Sequence, residues 1–282
     1  MSAVVVLAIV AWFVRAALAS HFVDGRVVRQ YLFSPLILKG ARNTVLVAIL
    51  SQVVGVILGV IFAVMRLTKN PVLKAVSGFY IWFFRGTPVL LQLFFWFNGV
   101  PSVFKHLTIA LPFTHVVLYS TPMTTFMTPF MAAFLGLALN EGAYMAEIVR
   151  AGIMSVDEGQ VEAASALGMT SGATTRRIVL PQAMRVIIPP TGNEFISMLK
   201  TSSLASTITY VELLRAAGDI YSTNLQPVPL LVDAAIWYLA MTTVASIGQH
   251  YLERHYARGQ AREMTPGFLR RLTGNLALRG KR

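Results

Sequence analysis

Long apolar runs separated by short polar segments make up most of the chain. In the clearest run, residues 44–65, only Thr44, Ser51 and Gln52 are polar. A hydrocarbon core about 30 Å thick is crossed by about 20 apolar helical residues, so this run is long enough to span a membrane. Five further runs are predicted as spans: residues 3–19, 76–100, 127–150, 186–213 and 230–248. The pattern predicts an all-α membrane protein with six spanning helices.

The composition agrees with a membrane protein and excludes several other classes. Charged residues make up 13% of the chain, against roughly a quarter in soluble domains. Without cysteine there is no disulfide, no thiolate metal site and no cysteine nucleophile, and the histidines lack metal-ligand spacing. The net charge is +12, and most of the lysines and arginines responsible for it lie between the apolar runs and in the C-terminal tail. We therefore expect contact with membrane lipid, but no metal and no nucleic acid.

The placement of lysine and arginine predicts the orientation, because short cytoplasmic loops are enriched in both. Residues 66–74, residues 150–185 and the C-terminal tail are basic, which places them in the cytoplasm. Residues 101–126 carry a single lysine and residues 216–229 carry no basic residue, which places both segments outside.

Two features near the N-terminus complicate this topology. Four basic residues stand on the predicted outer side: Arg26, Arg29, Lys39 and Arg42. The first apolar run contains Arg15 and has no basic segment before it, so we interpret it as a retained signal anchor, with a cleaved signal as the alternative.

One cytoplasmic segment consists of small residues, hydroxyls and arginines although the chain around it is apolar. Residues 161–167 are good helix formers, and Glu162 suits the positive end of a helix dipole. Gly168 permits a left-handed turn, after which Thr170 or Ser171 can cap a second short helix. The small side chains allow another protein to approach the backbone closely, so the segment is predicted to be a docking surface.

The spacing in this segment resembles the EAA signature of the membrane permease subunits of bacterial ABC importers. That signature is Glu-Ala-Ala, three residues, Gly, nine residues, Ile, one residue and Leu-Pro. The matching positions are Glu162, Ala163, Ala164, Gly168, Ile178, Leu180 and Pro181. The stretches FRGTPVLLQLFF, NEGAYMAEIVRAGIMSVDEGQVEAA and GNEFISMLKTSSL resemble the permeases for polar amino acids, although Thr201 stands where that family often has an acidic or amide residue.

The resemblance implies a type I ABC importer transmembrane domain, with five core helices plus one N-terminal helix, in a bacterial inner membrane. Residues 36–255 would form this domain, residues 157–181 its coupling loop, residues 1–35 the N-terminal helix and its connection, and residues 256–282 a basic cytoplasmic tail. The chain itself would be non-catalytic and bind no cofactor, because a cytoplasmic ABC ATPase dimer would use the ATP. The other implied partners are a second permease, identical or paralogous, and a periplasmic or lipid-anchored solute-binding protein.

Ionisable and polar groups inside predicted spans are the candidates for a substrate path, because each costs about 2.5–3.5 kcal/mol to insert unless it has a partner or a function. Helix breaks beside polar groups mark such paths, and here they are Gly86–Pro88 and Pro189–Pro190. The candidates are Arg85, Thr87, Gln92, Glu141, Tyr144, Asn193, Lys200, Thr201 and Ser202. The alternative for Arg85 is that its side chain snorkels to the membrane boundary. The alternative for the hydroxyls is that they bond between helices and do not contact the solute.

Two other classes of protein compete with the ABC permease. An ion-coupled secondary transporter would use Glu141 and Glu194 as proton or sodium sites, but it predicts inverted repeats that the sequence lacks. A membrane enzyme or sensor predicts a catalytic constellation, and the chain has no P-loop, H-E-x-x-H or G-x-S-x-G motif.

The predicted topology is tested by single cysteines in this cysteine-free chain. Cysteines at Ser120 and Thr223 are expected to react with an impermeant maleimide from outside, and cysteines at Thr68, Ser171 and Thr273 only after permeabilisation. Labelling of position 171 in intact cells would show that the membrane orientation is the opposite of the predicted one.

Overall fold

The computed structural model describes residues 24–111 and 117–256, together with helical backbone at Val5, Ala8, Trp12 and Arg15. Most of the predicted N-terminal helix therefore lies outside the described residues, as does the predicted basic tail from residue 257 onward.

The first half of the chain is dominated by one long helix. Helix α1 (Gly25–Tyr31) is followed by α2 (Pro35–Leu67), whose first turn is capped by the Ser34 hydroxyl. Helix α2 has 33 residues and is thus about 50 Å long. Helix α2 contains the whole predicted span 44–65 and begins earlier in the chain, at Pro35.

The third predicted span, 76–100, is not one continuous helix. Helix α3 (Pro71–Gly86) ends before Pro88, and α4 (Val89–Phe94) continues through a π-helical turn into α5 (Val100–Val103). Proline cannot supply the amide hydrogen that a continuous helix needs, so the break falls where Gly86 and Pro88 weaken the chain.

A short β-hairpin, not predicted from the sequence, lies in the predicted outer segment. Strands β1 (His106–Ala110) and β2 (Val117–Pro122) pair antiparallel, with Ile109 opposite Tyr119. A single turn, α6 (Met123–Phe126), then leads into the third long helix, α7 (Pro129–Met154).

The second half begins with two short helices, α8 (Glu158–Ala166) and α9 (Ser171–Thr174). A π-helical turn joins α9 directly to α10 (Leu180–Thr201), so the predicted second short helix merges with the next long one. A 3-10 helix at residues 202–208, α11 (Leu213–Asn224) and α12 (Pro227–Tyr256) complete the described fold.

Two of the described helices, α2 and α12, are long and apolar enough to cross a membrane, with 18-residue stretches whose mean hydropathy is 2.8 and 1.7. Helices α7 and α10 have 26 and 22 residues, but their polar side chains make them less apolar. These polar side chains form the site described below.

Helices α2 and α7 pack closely because glycines remove side chains from their contact. A Cβ atom at Gly55 would lie 2.5 Å from Cγ of Glu141. At Gly59 it would lie 2.9 Å from the carbonyl carbon of Met145 and 3.0 Å from the nitrogen of Ala146. Small residues of this kind let membrane helices approach closely, so the contact fixes the position of Glu141.

The close contact makes Gly59→Ala destabilising, because backbone atoms of α7 cannot move aside. We expect the free energy of unfolding to fall by about 1–3 kcal/mol, seen as a lower melting temperature of the detergent-purified protein. The control is Gly248→Ala in α12, where an added Cβ meets no atom within 4 Å. This change should be neutral or stabilise by up to about 1 kcal/mol, and equal melting temperatures of the two variants would contradict the packing argument.

Candidate functional site

Side-chain amides supply hydrogen bonds that the backbone lacks at the break between α3 and α4. Pro88 has no amide hydrogen, so the carbonyl of Phe84 lacks its usual helical donor. The Gln92 side chain donates to this carbonyl at 3.0 Å, and the Asn140 side chain donates to it at 2.8 Å. Gln92 also donates to the Thr87 hydroxyl at 2.8 Å and to the Thr87 carbonyl at 3.1 Å. The structure thus gives two predicted path residues, Thr87 and Gln92, hydrogen bonds that support this break.

A cavity of about 250 Å³ lies between α4, α7 and α10. It brings together three predicted path residues, Glu141, Tyr144 and Thr201. It also contains three polar residues that are not on the predicted path, Asn140, Glu194 and Ser197; its remaining lining residues are Val89, Leu137 and Met198. The spacing of 194, 197 and 201 follows one helical face, which is the sequence signal that identifies these members.

Glu141 is held at the wall of this cavity. Its side chain is 4% exposed, and Oε1 accepts a hydrogen bond from Gln52 of α2 at 3.1 Å. Among the described residues no donor contacts the other carboxylate oxygen. A buried carboxylate with a free oxygen beside a cavity can accept a hydrogen bond from a bound ammonium or guanidinium group.

Arg85 lies beside the same group of residues. Its guanidinium carbon is 5.0 Å from the ring centroid of Tyr144, within the range of a cation–π interaction. The site therefore combines two carboxylates with a nearby guanidinium, which suits a solute that carries both an ammonium and a carboxylate.

The remaining candidates lie elsewhere. Asn193 and Lys200 are exposed on a different face of α10, because residues adjacent to 194 and 201 point about 100° away on a helix. Ser202 is buried, and its hydroxyl donates to the Leu199 carbonyl at 2.8 Å. Neither Asn193 nor Lys200 lines the cavity that contains Glu141.

One ion pair on α7 is local. Arg150 Nη2 lies 2.6 Å from Glu147 Oε2, as the spacing of three residues predicts. Both side chains are partly exposed and lie outside the cavity. Glu147 is therefore a suitable control when the buried carboxylate of Glu141 is substituted.

The loop before α10 has the predicted helix–turn–helix form. Helix α8 begins three residues earlier than predicted, where the Asp157 carboxylate accepts from the Gly159 amide at 2.9 Å. Gly168 has φ +76°, the left-handed conformation that ends a helix without strain. The Thr170 hydroxyl accepts from the Ala173 amide at 3.4 Å and caps α9.

This loop presents a small protruding surface. Glu162 and Ala163 are exposed on α8, and Ala164 is buried. Leu167, at the tip, is 83% exposed. Ile178 is partly buried, and Leu180 and Pro181 are exposed at the start of α10.

Comparison with known proteins identifies the family. Residues 55–258 match the model of the family described as binding-protein-dependent transport system inner membrane component. The chain is 46% identical to the arginine transport system permease protein ArgU of Corynebacterium glutamicum, over 94% of this chain and 82% of that protein. It is 38% identical to the L-cystine transport system permease protein TcyB of Bacillus subtilis, over 81% of this chain and 90% of that protein.

Solved structures agree with this result. A crystal structure of an amino acid ABC transporter with histidines contains a chain that is 36% identical, with a TM-score of 0.69, covering 83% of this chain and 99% of that chain. The MetNI methionine ABC transporter contains a chain of the same fold at 15% identity, with a TM-score of 0.63, covering 79% of this chain and 97% of that one.

The chain therefore belongs to the binding-protein-dependent transport system inner membrane component family. The predicted permease of an ABC importer and its type I transmembrane fold are confirmed, and the ion-coupled alternative is not supported. The relatives named above are amino acid permeases, as the resemblance in the sequence indicates.

Proposed function

We propose that this chain forms the translocation path of an ATP-driven importer for amino acids, and that cationic amino acids are its favoured class. The observation that carries the proposal is the pair of carboxylates, Glu141 and Glu194, at one cavity between α7 and α10. The cavity of about 250 Å³ suits a small solute. The similarity to an arginine permease supports the same class.

The two ends of an amino acid have complementary partners at this site. Glu141 keeps one oxygen free for an ammonium or guanidinium group. Arg85, next to Tyr144, supplies positive charge for the carboxylate. Both interactions gain strength in the low dielectric of a membrane interior.

The chain crosses a bacterial inner membrane several times in this proposal, with residues 36–255 as the transmembrane domain. Helices α2 and α12 cross by length and apolarity. The less apolar α7 and α10 cross with their polar faces turned toward the cavity, where ionisable groups are tolerated. The loop containing α8 then lies in the cytoplasm.

The coupling loop (residues 157–181) docks on a cytoplasmic ABC ATPase in this proposal, and an ATPase pair supplies all the hydrolysis. The exposed Glu162, Ala163 and Leu167 form the contact, and the carbonyl of the buried Ala164 accepts from the Met169 amide at 3.0 Å. A second permease, identical or paralogous, completes the path, and a solute-binding protein delivers the amino acid from outside.

Substitutions in the coupling loop test this docking. Gly168→Asp places a side chain on a left-handed residue, and Glu162→Lys with Ala163→Lys reverses the surface charge and adds bulk. Both variants should lose most co-purification with the ATPase and most uptake. Gly172→Ala is the control, since an added Cβ there meets no atom within 4 Å and its φ is ordinary. Full assembly and uptake in both loop variants would refute the docking surface.

The carboxylate at 141 tests the substrate class. We expect Glu141→Gln to reduce uptake of lysine and arginine about tenfold or more, because a buried charge partner is lost, and to reduce glutamine uptake much less. The matched control is Glu147→Gln, which neutralises a carboxylate on the same helix outside the cavity. If all three amino acids lose uptake by one factor in an assembled Glu141→Gln transporter, Glu141 is structural and selection rests with the binding protein.

A further inference from the structure

Helix α10 is the physical link between the coupling loop and the cavity. It begins at Leu180, at the end of the coupling loop, and its second half contributes Glu194, Ser197 and Thr201 to the cavity. Any movement of the loop that reaches the cavity through this helix must pass the two prolines at 189 and 190.

The helix is locally weak at these prolines. Neither residue has an amide hydrogen, so the carbonyls of Arg185 and Val186 lose their helical donors. The Thr191 hydroxyl donates to the Ile187 carbonyl at 2.8 Å, a side-chain bond that often accompanies helix bending. A helix with such a break can bend there instead of transmitting a displacement.

Gln249 of α12 contacts this break. Its side-chain amide donates to the Pro189 carbonyl at 2.7 Å and to Glu253 Oε1 at 3.0 Å, which uses both amide hydrogens. The side chain is 8% exposed. Gly192 provides the space, because a Cβ atom at that position would overlap the Gln249 amide.

The part of α10 that precedes the break in the chain packs against α7. The Ile187 side chain lies against Gly152, where any added Cβ would overlap it. The first half of α10 is thus held by α7 and the break itself by α12. The second half carries the cavity residues.

We infer that Gln249 is a positioning residue that fixes the angle of α10 at Pro189–Pro190 and thereby couples movement of the loop to the cavity. The inference rests on the proposed ATP-driven function, and it adds a residue that contacts neither the solute nor the ATPase surface of this chain. Removal of the amide leaves α10 free to bend at the prolines, so that ATP is hydrolysed without movement of the cavity wall.

The test uses the complete transporter in proteoliposomes, with its ATPase, second permease and binding protein, and radiolabelled arginine as the probe. Gln249→Met keeps the length of the side chain and removes its hydrogen bonds. We expect binding-protein-stimulated ATP hydrolysis to persist while arginine imported per ATP hydrolysed falls about fivefold or more. Thr242→Val is the matched control, because this α12 hydroxyl bonds only to carbonyls of its own helix, and it should leave the ratio unchanged.

A second variant guards against misfolding. Gln249→Asn keeps the amide but is too short to reach the Pro189 carbonyl, and it should lower the same ratio. An unchanged ratio in an assembled Gln249→Met or Gln249→Asn transporter overturns the inference. Arginine uptake by the wild-type transporter tests the proposed function separately, so failure of one is distinguished from failure of the other.

Discussion

Backbone carbonyls deprived of their helical donors inside a membrane must be satisfied by the protein, because lipid offers no hydrogen-bond donor. Pro88 creates this demand at Phe84, whose carbonyl accepts from Gln92 and Asn140. The second break, at Pro189–Pro190, is bordered by carbonyls that accept from side chains of α10 and α12. Of the four buried side-chain amides among the described residues, Gln92, Asn140 and Gln249 donate to carbonyls at these breaks, and Gln52 donates to Glu141. The two breaks lie on either side of the cavity.

This constraint explains how one short stretch of α7 serves two purposes. Asn140 satisfies the carbonyl of the first break, and the next residue, Glu141, lies against Gln52 and the cavity. The glycines of α2 bring the two helices close enough for the contact between Gln52 and the carboxylate. Two adjacent residues of α7 thus support the first break and line the cavity.

Local features were predictable from the sequence because they depend on neighbouring residues. The left-handed turn at Gly168, the cap at Thr170 and the pair of Glu147 with Arg150 are all of this kind. The long apolar run of α2 was equally clear, since its length alone indicates a span.

Features that depend on tertiary packing were not predictable in the same way. The hairpin at 106–122 is formed by short strands whose apolar residues remain largely exposed, so no buried pattern marks them. Glu194 and Ser197 line the cavity, whereas Asn193 and Lys200 do not, and this difference depends on which face of α10 meets α7. The partner of Pro189 lies 60 residues away, and no local pattern connects the two.

The most direct test of the account is the energy source of uptake. Proteoliposomes containing the permease pair and the ATPase, with arginine-loaded binding protein on the outer side, are compared with and without internal ATP. Each condition is measured both with ion gradients intact and with the gradients collapsed by ionophores. The account predicts arginine accumulation that requires ATP and the binding protein and is unaffected by the ionophores. Accumulation that continues without ATP and stops when the ion gradients collapse would contradict it.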